Sequence, residues 1–254
     1  MHDLTSILDQ AAERSLETRG VSTLARSMKR SEILDIAYSV RAQIEAGKDV
    51  LNMTVGDFAV GEFLIPGALK EEVGVAYDKG LTNYPPAPGV PELRQAVADL
   101  YADRLGIKYP TSSVIAAGGG RPLIAAAYLA LVDEGDPVVY GLPSWNNHHY
   151  TTITRAERRK IESRAEDFFF PRADAIAPLL PGARLLCLNT PKNPTGTVMP
   201  KDDMMRICER VLEENHQRVK RGEKELYMLF DQIYWLLTFD GAEHHTPVSL
   251  LPEL

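Results

Sequence analysis

Four short polar segments carry the residues able to do chemistry, and each follows an apolar run. Gly118-Gly119-Gly120-Arg121-Pro122 stands after Val114-Ile115-Ala116-Ala117. Glycines let the backbone approach a ligand closely, and a helix opening there presents unpaired N–H groups, a combination suited to a phosphate. Three glycines equally suit a tight turn, and a dinucleotide fingerprint needs a further glycine at position 123, where Leu123 stands. Leu142-Pro143-Ser144-Trp145-Asn146-Asn147-His148 follows Val138-Val139-Tyr140. Its indole either packs or covers a flat ring. Asn189-Thr190-Pro191-Lys192-Asn193-Pro194-Thr195-Gly196 follows the run at 184–188, and Asn193, placed before proline, is held extended with an amide to donate. Asp231-Gln232-Ile233-Tyr234 follows Tyr227-Met228-Leu229-Phe230. A carboxylate at the end of an apolar strand is partly desolvated and needs a partner, either a protonated ring nitrogen or a basic side chain.

The elements that must position these segments alternate. Amphipathic helices are expected over residues 3–19 and 31–46, with Ile33, Ile36, Ala37, Val40 and Ile44 at three- and four-residue steps in the second. A short strand is expected over 49–54, then a Gly- and Pro-rich loop to about 67 and a helix over 66–79. Asn83-Tyr84-Pro85-Pro86-Ala87-Pro88-Gly89 excludes regular structure. Pro91 opens the next helix, with Leu93, Val97, Leu100 and Tyr101 as its apolar face and Gly106 as its stop. Strands at 114–117, 138–140, 158–163, 184–189 and 226–230 then take turns with helices at 121–132, 172–180 and 201–219. Alternation of this kind specifies an α/β fold, a mainly parallel sheet covered by helices on both faces. Ligands of such sheets sit at the carboxyl ends of the strands. The division expected from sequence is residues 1–60 as an N-terminal arm with part of a small domain, and residues 61–254 as a large domain.

Composition narrows the function classes. The chain has 254 residues, 44% hydrophobic and 25% charged, with a net charge of -7. That is a globular composition, and its basic run at 155–164 is interleaved with Glu157 and Glu162, so a solvated face or edge is expected and a nucleic-acid partner is not. Cys187 and Cys208 are too few for a disulfide framework, and Cys187 lies in an apolar run where a buried thiol is expected. No signal peptide or membrane span is legible, which makes the cytoplasm the expected location. His148-His149 and His244-His245 lack metal-ligand spacing.

A phosphate cup, an aromatic cover, an amide donor, a carboxylate and a phenol thus arrive in succession, each after a strand. The set meets the demands of pyridoxal 5'-phosphate (PLP): a phosphate, a flat ring, a phenolic oxygen and a ring nitrogen. From about Met28 onward the chain resembles the fold-type I PLP-dependent enzymes, specifically the class I and II aminotransferases related to aspartate aminotransferase. The resemblance is carried by Asn52-Met53-Thr54-Val55-Gly56-Asp57, Asn83 to Arg94, the glycine cup, Pro143-Ser144-Trp145, Asn193-Pro194-Thr195-Gly196 and Asp231-Gln232-Ile233-Tyr234.

The resemblance implies a three-layer α-β-α large domain and a homodimer that exchanges an amino group between an amino acid and a 2-oxo acid. It implies phosphate contacts from the backbone of Gly119, Gly120 and Arg121, and Trp145 stacked on the ring. Asn193 and Tyr234 would bond the phenolic oxygen, and Asp231 the pyridinium nitrogen. It further implies His148 behind that carboxylate, Tyr84 reaching the phosphate of a neighbouring subunit, and Gly56 near the substrate carboxylate. Gln232 departs from the family's usual glutamate. The lysine that forms the family's Schiff base falls beyond residue 254, so the chain alone is expected to be inactive, with no catalytic residue of its own. Of its ten lysines only Lys192 lies in a site loop, and a surface role is expected for it. A PLP-dependent C–S or other lyase and a non-catalytic effector-binding domain share this fold and stay open on these residues.

Overall fold

The computed structural model describes residues 20–28, 32–54, 56, 58 and 61–254. The helix expected over 3–19, and Val55 and Asp57 of the 52–57 motif, lie outside them. Two units cluster separately, Met1–Pro86 and Ala87–Leu254. Residues 61–86, grouped from sequence with the larger domain, therefore belong with the N-terminal unit.

The N-terminal unit holds three described helices, α1 (Thr23–Ser27), α2 (Glu32–Glu45) and α3 (Gly67–Asp78). Ser22 caps α1 by accepting from the Ala25 N–H at 3.1 Å. The strand expected at 49–54 is not formed. Leu51 and Met53 are 82% and 86% exposed, and Asn52 Oδ1 accepts from both the N–H and the hydroxyl of Thr54. That local turn competes with strand pairing.

The larger unit is built on four parallel strands: β1 (Pro137–Leu142), β2 (Glu157–Glu162), β3 (Leu185–Asn189) and β4 (Tyr227–Asp231), in the order β2-β1-β3-β4. Alternate side chains point to opposite faces. Val138, Tyr140, Leu185 and Cys187 pack beneath Tyr128 from helix α5 (Gly120–Leu131), Val132 just past its end, and Tyr150 from helix α6 (Asn147–Ile153). Val139, Leu186 and Leu188 pack on the other face against Met204, Ile207, Cys208 and Val211 of helix α8 (Lys201–Arg221) and Ile176 of helix α7 (Ala173–Ile176). Helices on both faces give the three layers expected. The basic run at 155–164 supplies β2, an edge strand with mostly exposed side chains, as its interleaved charges predict.

Two expectations fail in this unit. Residues 114–117 are extended but pair with no strand; the Ala116 N–H bonds only the Pro88 carbonyl, at 2.9 Å. A cleft of about 900 Å³, lined by Val114, Ile115, Tyr227, Met228 and Phe230 among others, lies between this segment and β4. Paired strands approach to about 4.8 Å, and across this cleft the two segments do not. Helix α4 (Pro91–Leu105) does not bury its predicted face: Leu93 and Leu100 are exposed, and Ala98 is its buried residue. Arg94 ties α4 down instead, donating to the carbonyls of Val114 and Thr111 at 2.7 Å each. A short helix α9 (Pro247–Leu250), closed by a capping box between Thr246 and Ser249, ends the described elements.

Candidate functional site

Parallel strands send their following loops to one edge. The register sets Asn189 at the end of β3 opposite Asp231 at the end of β4. Asn189 Nδ2 donates to the Asp231 carbonyl at 2.9 Å, and Asn189 Oδ1 accepts the Asn193 N–H at 2.8 Å. One asparagine thus fixes the Asn193 loop against the Asp231 segment. Asn193 Nδ2 then lies 3.2 Å from Tyr234 Oη and donates to it. The amide and the phenol expected to share one ligand oxygen therefore converge.

Asp231 is half-buried, and its Oδ1 accepts the Ile233 N–H at 3.2 Å. Burial pushes its carboxyl above the usual range, and the Ile233 N–H offsets part of this. Among the described residues it makes no ion pair. A desolvated carboxylate of this kind is matched by a cationic N–H donor.

At the glycine turn, Gly119 takes φ 109° and ψ 168°, a conformation open to glycine alone, immediately before α5. Its own N–H is engaged by the Ala117 carbonyl at 2.8 Å. This revises the expected cup: the donors left for an anion are the N–H groups of Gly120 and Arg121, which have no intrahelical acceptor. The Arg121 guanidinium lies over the Trp145 ring, 5.6 Å from its centroid.

The Trp145 loop is braced from below. Asn146 has a left-handed backbone at φ 59°, and Asn147 Nδ2 donates to Ser144 Oγ at 2.7 Å. Tyr128 Oη, from α5, donates to Asn147 Oδ1 at 2.7 Å and lies 3.2 Å from Cys187 Sγ of β3. One buried phenol therefore ties helix α5, the Trp145 loop and strand β3 together. Burial pushes the Cys187 thiol up to about 12, so it serves as packing rather than as a nucleophile.

Tyr150 packs beside Tyr128, with ring centroids 5.3 Å apart. Its hydroxyl is pushed up by burial, drawn down by Arg121 and pushed up again by Asp231. Sequence reasoning singled out neither tyrosine: Tyr128 lies inside the helix expected at 121–132, and Tyr150 lies on a helix, Asn147–Ile153, that was not expected. Lys192 was misplaced as a surface residue. It is 6% exposed, with Nζ donating to the Phe169 carbonyl and lying 5.2 Å from the Phe170 ring centroid. Burial lowers its ammonium to about 8. Gln232 Nε2 donates to Tyr101 Oη at 2.8 Å, and Gln232 Oε1 lies 3.0 Å from His244 Nε2. His148 is exposed, with its ring 3.9 Å from that of His149. In the N-terminal unit Tyr84 is fully exposed and Gly56 is exposed.

The family model for aminotransferase class I and II matches residues 48–245. The chain belongs to that family. The probable aspartate/prephenate aminotransferase of Thermus aquaticus is 28% identical over 237 residues, covering 92% of this chain and 58% of the relative. The aspartate/prephenate aminotransferase of Thermus thermophilus is 27% identical over the same shares. Among solved structures, the aspartate aminotransferase from Thermus thermophilus with maleate superposes with a TM-score of 0.82 at 27% identity, covering 92% of this chain and 58% of that one. The Rhizobium meliloti aspartate aminotransferase gives 0.82 at 26% identity. The chain thus spans a little over half the length of these relatives.

Proposed function

We propose that this chain forms the cofactor-binding part of a PLP-dependent aminotransferase that moves an amino group between an amino acid and a 2-oxo acid. The observation that carries this is the convergence of Asn193 and Tyr234, held by Asn189 against Asp231, whose carboxylate makes no ion pair among the described residues. The donor set fits PLP at each functional group. The N–H groups of Gly120 and Arg121 hold the phosphate. Trp145 covers the ring. Asn193 and Tyr234 hold the phenolic oxygen, and Asp231 keeps the ring nitrogen protonated. When bound, PLP supplies the electron sink that amino-group chemistry needs. The chain's own residues bind and orient, and the Asp231 carboxylate, as acceptor, would hold one proton on the ring nitrogen.

The resemblance assigns His148 behind Asp231, Gly56 near the substrate carboxylate, and Tyr84 to a neighbouring phosphate across a homodimer; the full exposure of Tyr84 suits a residue that reaches outward. Amino acids and 2-oxo acids are then the small-molecule partners. The relatives' aminotransferase names favour transfer over elimination or effector binding. No described helix is long and apolar enough to cross a membrane, in keeping with a cytoplasmic enzyme.

Calorimetric titration with pyridoxamine 5'-phosphate tests the cofactor assignment, because this vitamer cannot react with lysines. Saturable binding is expected, weakened roughly tenfold by Asn193→Ala as one ligand hydrogen bond is lost. Binding that is insensitive to Asn193→Ala and Tyr234→Phe, or displaced by NAD, would count against it.

A further inference from the structure

Arg121 is the second residue of α5, two residues after Gly119, which turns the chain into the helix. Its side chain is exposed and, among the described residues, forms no ion pair or side-chain hydrogen bond. The partner it does have is the Trp145 ring, over which its guanidinium lies at 5.6 Å from the centroid. Trp145 is half-buried, so a guanidinium and a planar heterocycle compete for what remains of its surface.

The two positions open to Arg121 differ in strength. An exposed cation over an aromatic face gains roughly 2- to 5-fold in an equilibrium constant. A charge-assisted contact with a phosphate oxygen gains roughly 10- to 150-fold, and the planar fork of arginine suits two oxygens at once. A phosphate seated on the Gly120 and Arg121 N–H groups lies at the base of this same side chain. The guanidinium therefore leaves the indole when a phosphate arrives.

We propose that the Arg121 side chain is a phosphate-binding group, and that its transfer from Trp145 to a phosphate monoester uncovers the indole for the ring attached to that ester. The site thereby selects phosphorylated over unphosphorylated heterocycles by two linked effects, attraction of the ester and eviction of the cation. This rests on the cofactor assignment made above and adds to it a side-chain role beyond the backbone cup.

The test uses the 254-residue chain, its Arg121→Gln variant, and two ligands, pyridoxamine 5'-phosphate and pyridoxamine. Arg121→Gln is expected to weaken the phosphorylated ligand roughly 10- to 150-fold. The same substitution is expected to leave pyridoxamine unchanged or tighten it by roughly 2- to 5-fold, because the indole is no longer covered. A second readout is Trp145 emission in a Trp235→Phe background. Inorganic phosphate should shift that emission in the parent and not after Arg121→Gln. Equal weakening of both ligands, or no phosphate-dependent shift in the parent, overturns the proposal. If phosphate shifts the emission through Arg121 while neither vitamer binds, the arginine switch stands and the cofactor assignment fails.

Discussion

Replacing Asp231 with asparagine should move stability and binding in opposite directions. The amide oxygen of the variant can still accept the Ile233 N–H, so the change removes charge and little else. The native carboxylate is half-buried and has no cation beside it among the described residues, and its pKa is raised by burial. A raised folded pKa means that the folded protein binds the proton more readily than the unfolded chain. Stability therefore falls as pH rises from the ordinary carboxyl value of 3.8 through the folded value. Asp231→Asn is expected to gain about 1 kcal/mol at neutral pH, and the gain should vanish below about 3.8. In return the variant loses a charge-assisted bond to the ring nitrogen, about 1.5–3 kcal/mol, or roughly 10- to 150-fold in affinity for pyridoxamine 5'-phosphate. Urea denaturation at pH 7 and pH 3.5 measures the first effect, and calorimetry the second. A variant less stable at pH 7 that binds the ligand unchanged would refute the reasoning, because Asp231 would then be a structural residue.

Three further outcomes follow from the geometry. Gly119→Ala places a side chain on a backbone at φ 109° and should cost about 1–3 kcal/mol of stability while weakening phosphate binding, both readable from melts with and without phosphate. Ile207→Ala empties a fully buried position between α8 and the sheet and should cost about 2–5 kcal/mol in urea denaturation. Lys192 is held charged at a penalty below its lowered pKa of about 8, so the parent's stability relative to Lys192→Met should rise as pH increases from about 8 toward the unfolded lysine value of 10.5; a flat difference over that window would show Lys192 to be solvated.

The sheet was legible because its buried strands are short apolar runs ended by glycine, proline or aspartate. Val138-Val139-Tyr140 and Leu185-Leu186-Cys187-Leu188 could be nothing else at that length. The candidate site residues stood out by type, since an aspartate after an apolar strand or a glycine triplet before a helix conflicts with ordinary packing. What escaped was whatever depends on a neighbour. Residues 114–117 have strand composition, but pairing needs a second strand that β4 does not bring within reach. Tyr128 reads as one more apolar-face residue until its hydroxyl is seen to meet Asn147 and Cys187. Lys192 reads as solvated because lysine usually is, and its burial depends on a carbonyl and an aromatic face contributed by residues 169 and 170. The Gly119 N–H was counted as a ligand donor because its bond to Ala117 is a property of the turn and not of composition.

The central claim is that one small phosphorylated pyridine bridges Asp231 and the start of α5. A crystal structure of the chain with pyridoxamine 5'-phosphate measures this directly. The ring nitrogen should lie about 3 Å from an Asp231 carboxylate oxygen, with the phosphate on the Gly120 and Arg121 N–H groups. A ligand bound with its nitrogen turned away from Asp231, or with its phosphate outside the glycine turn, would contradict the account.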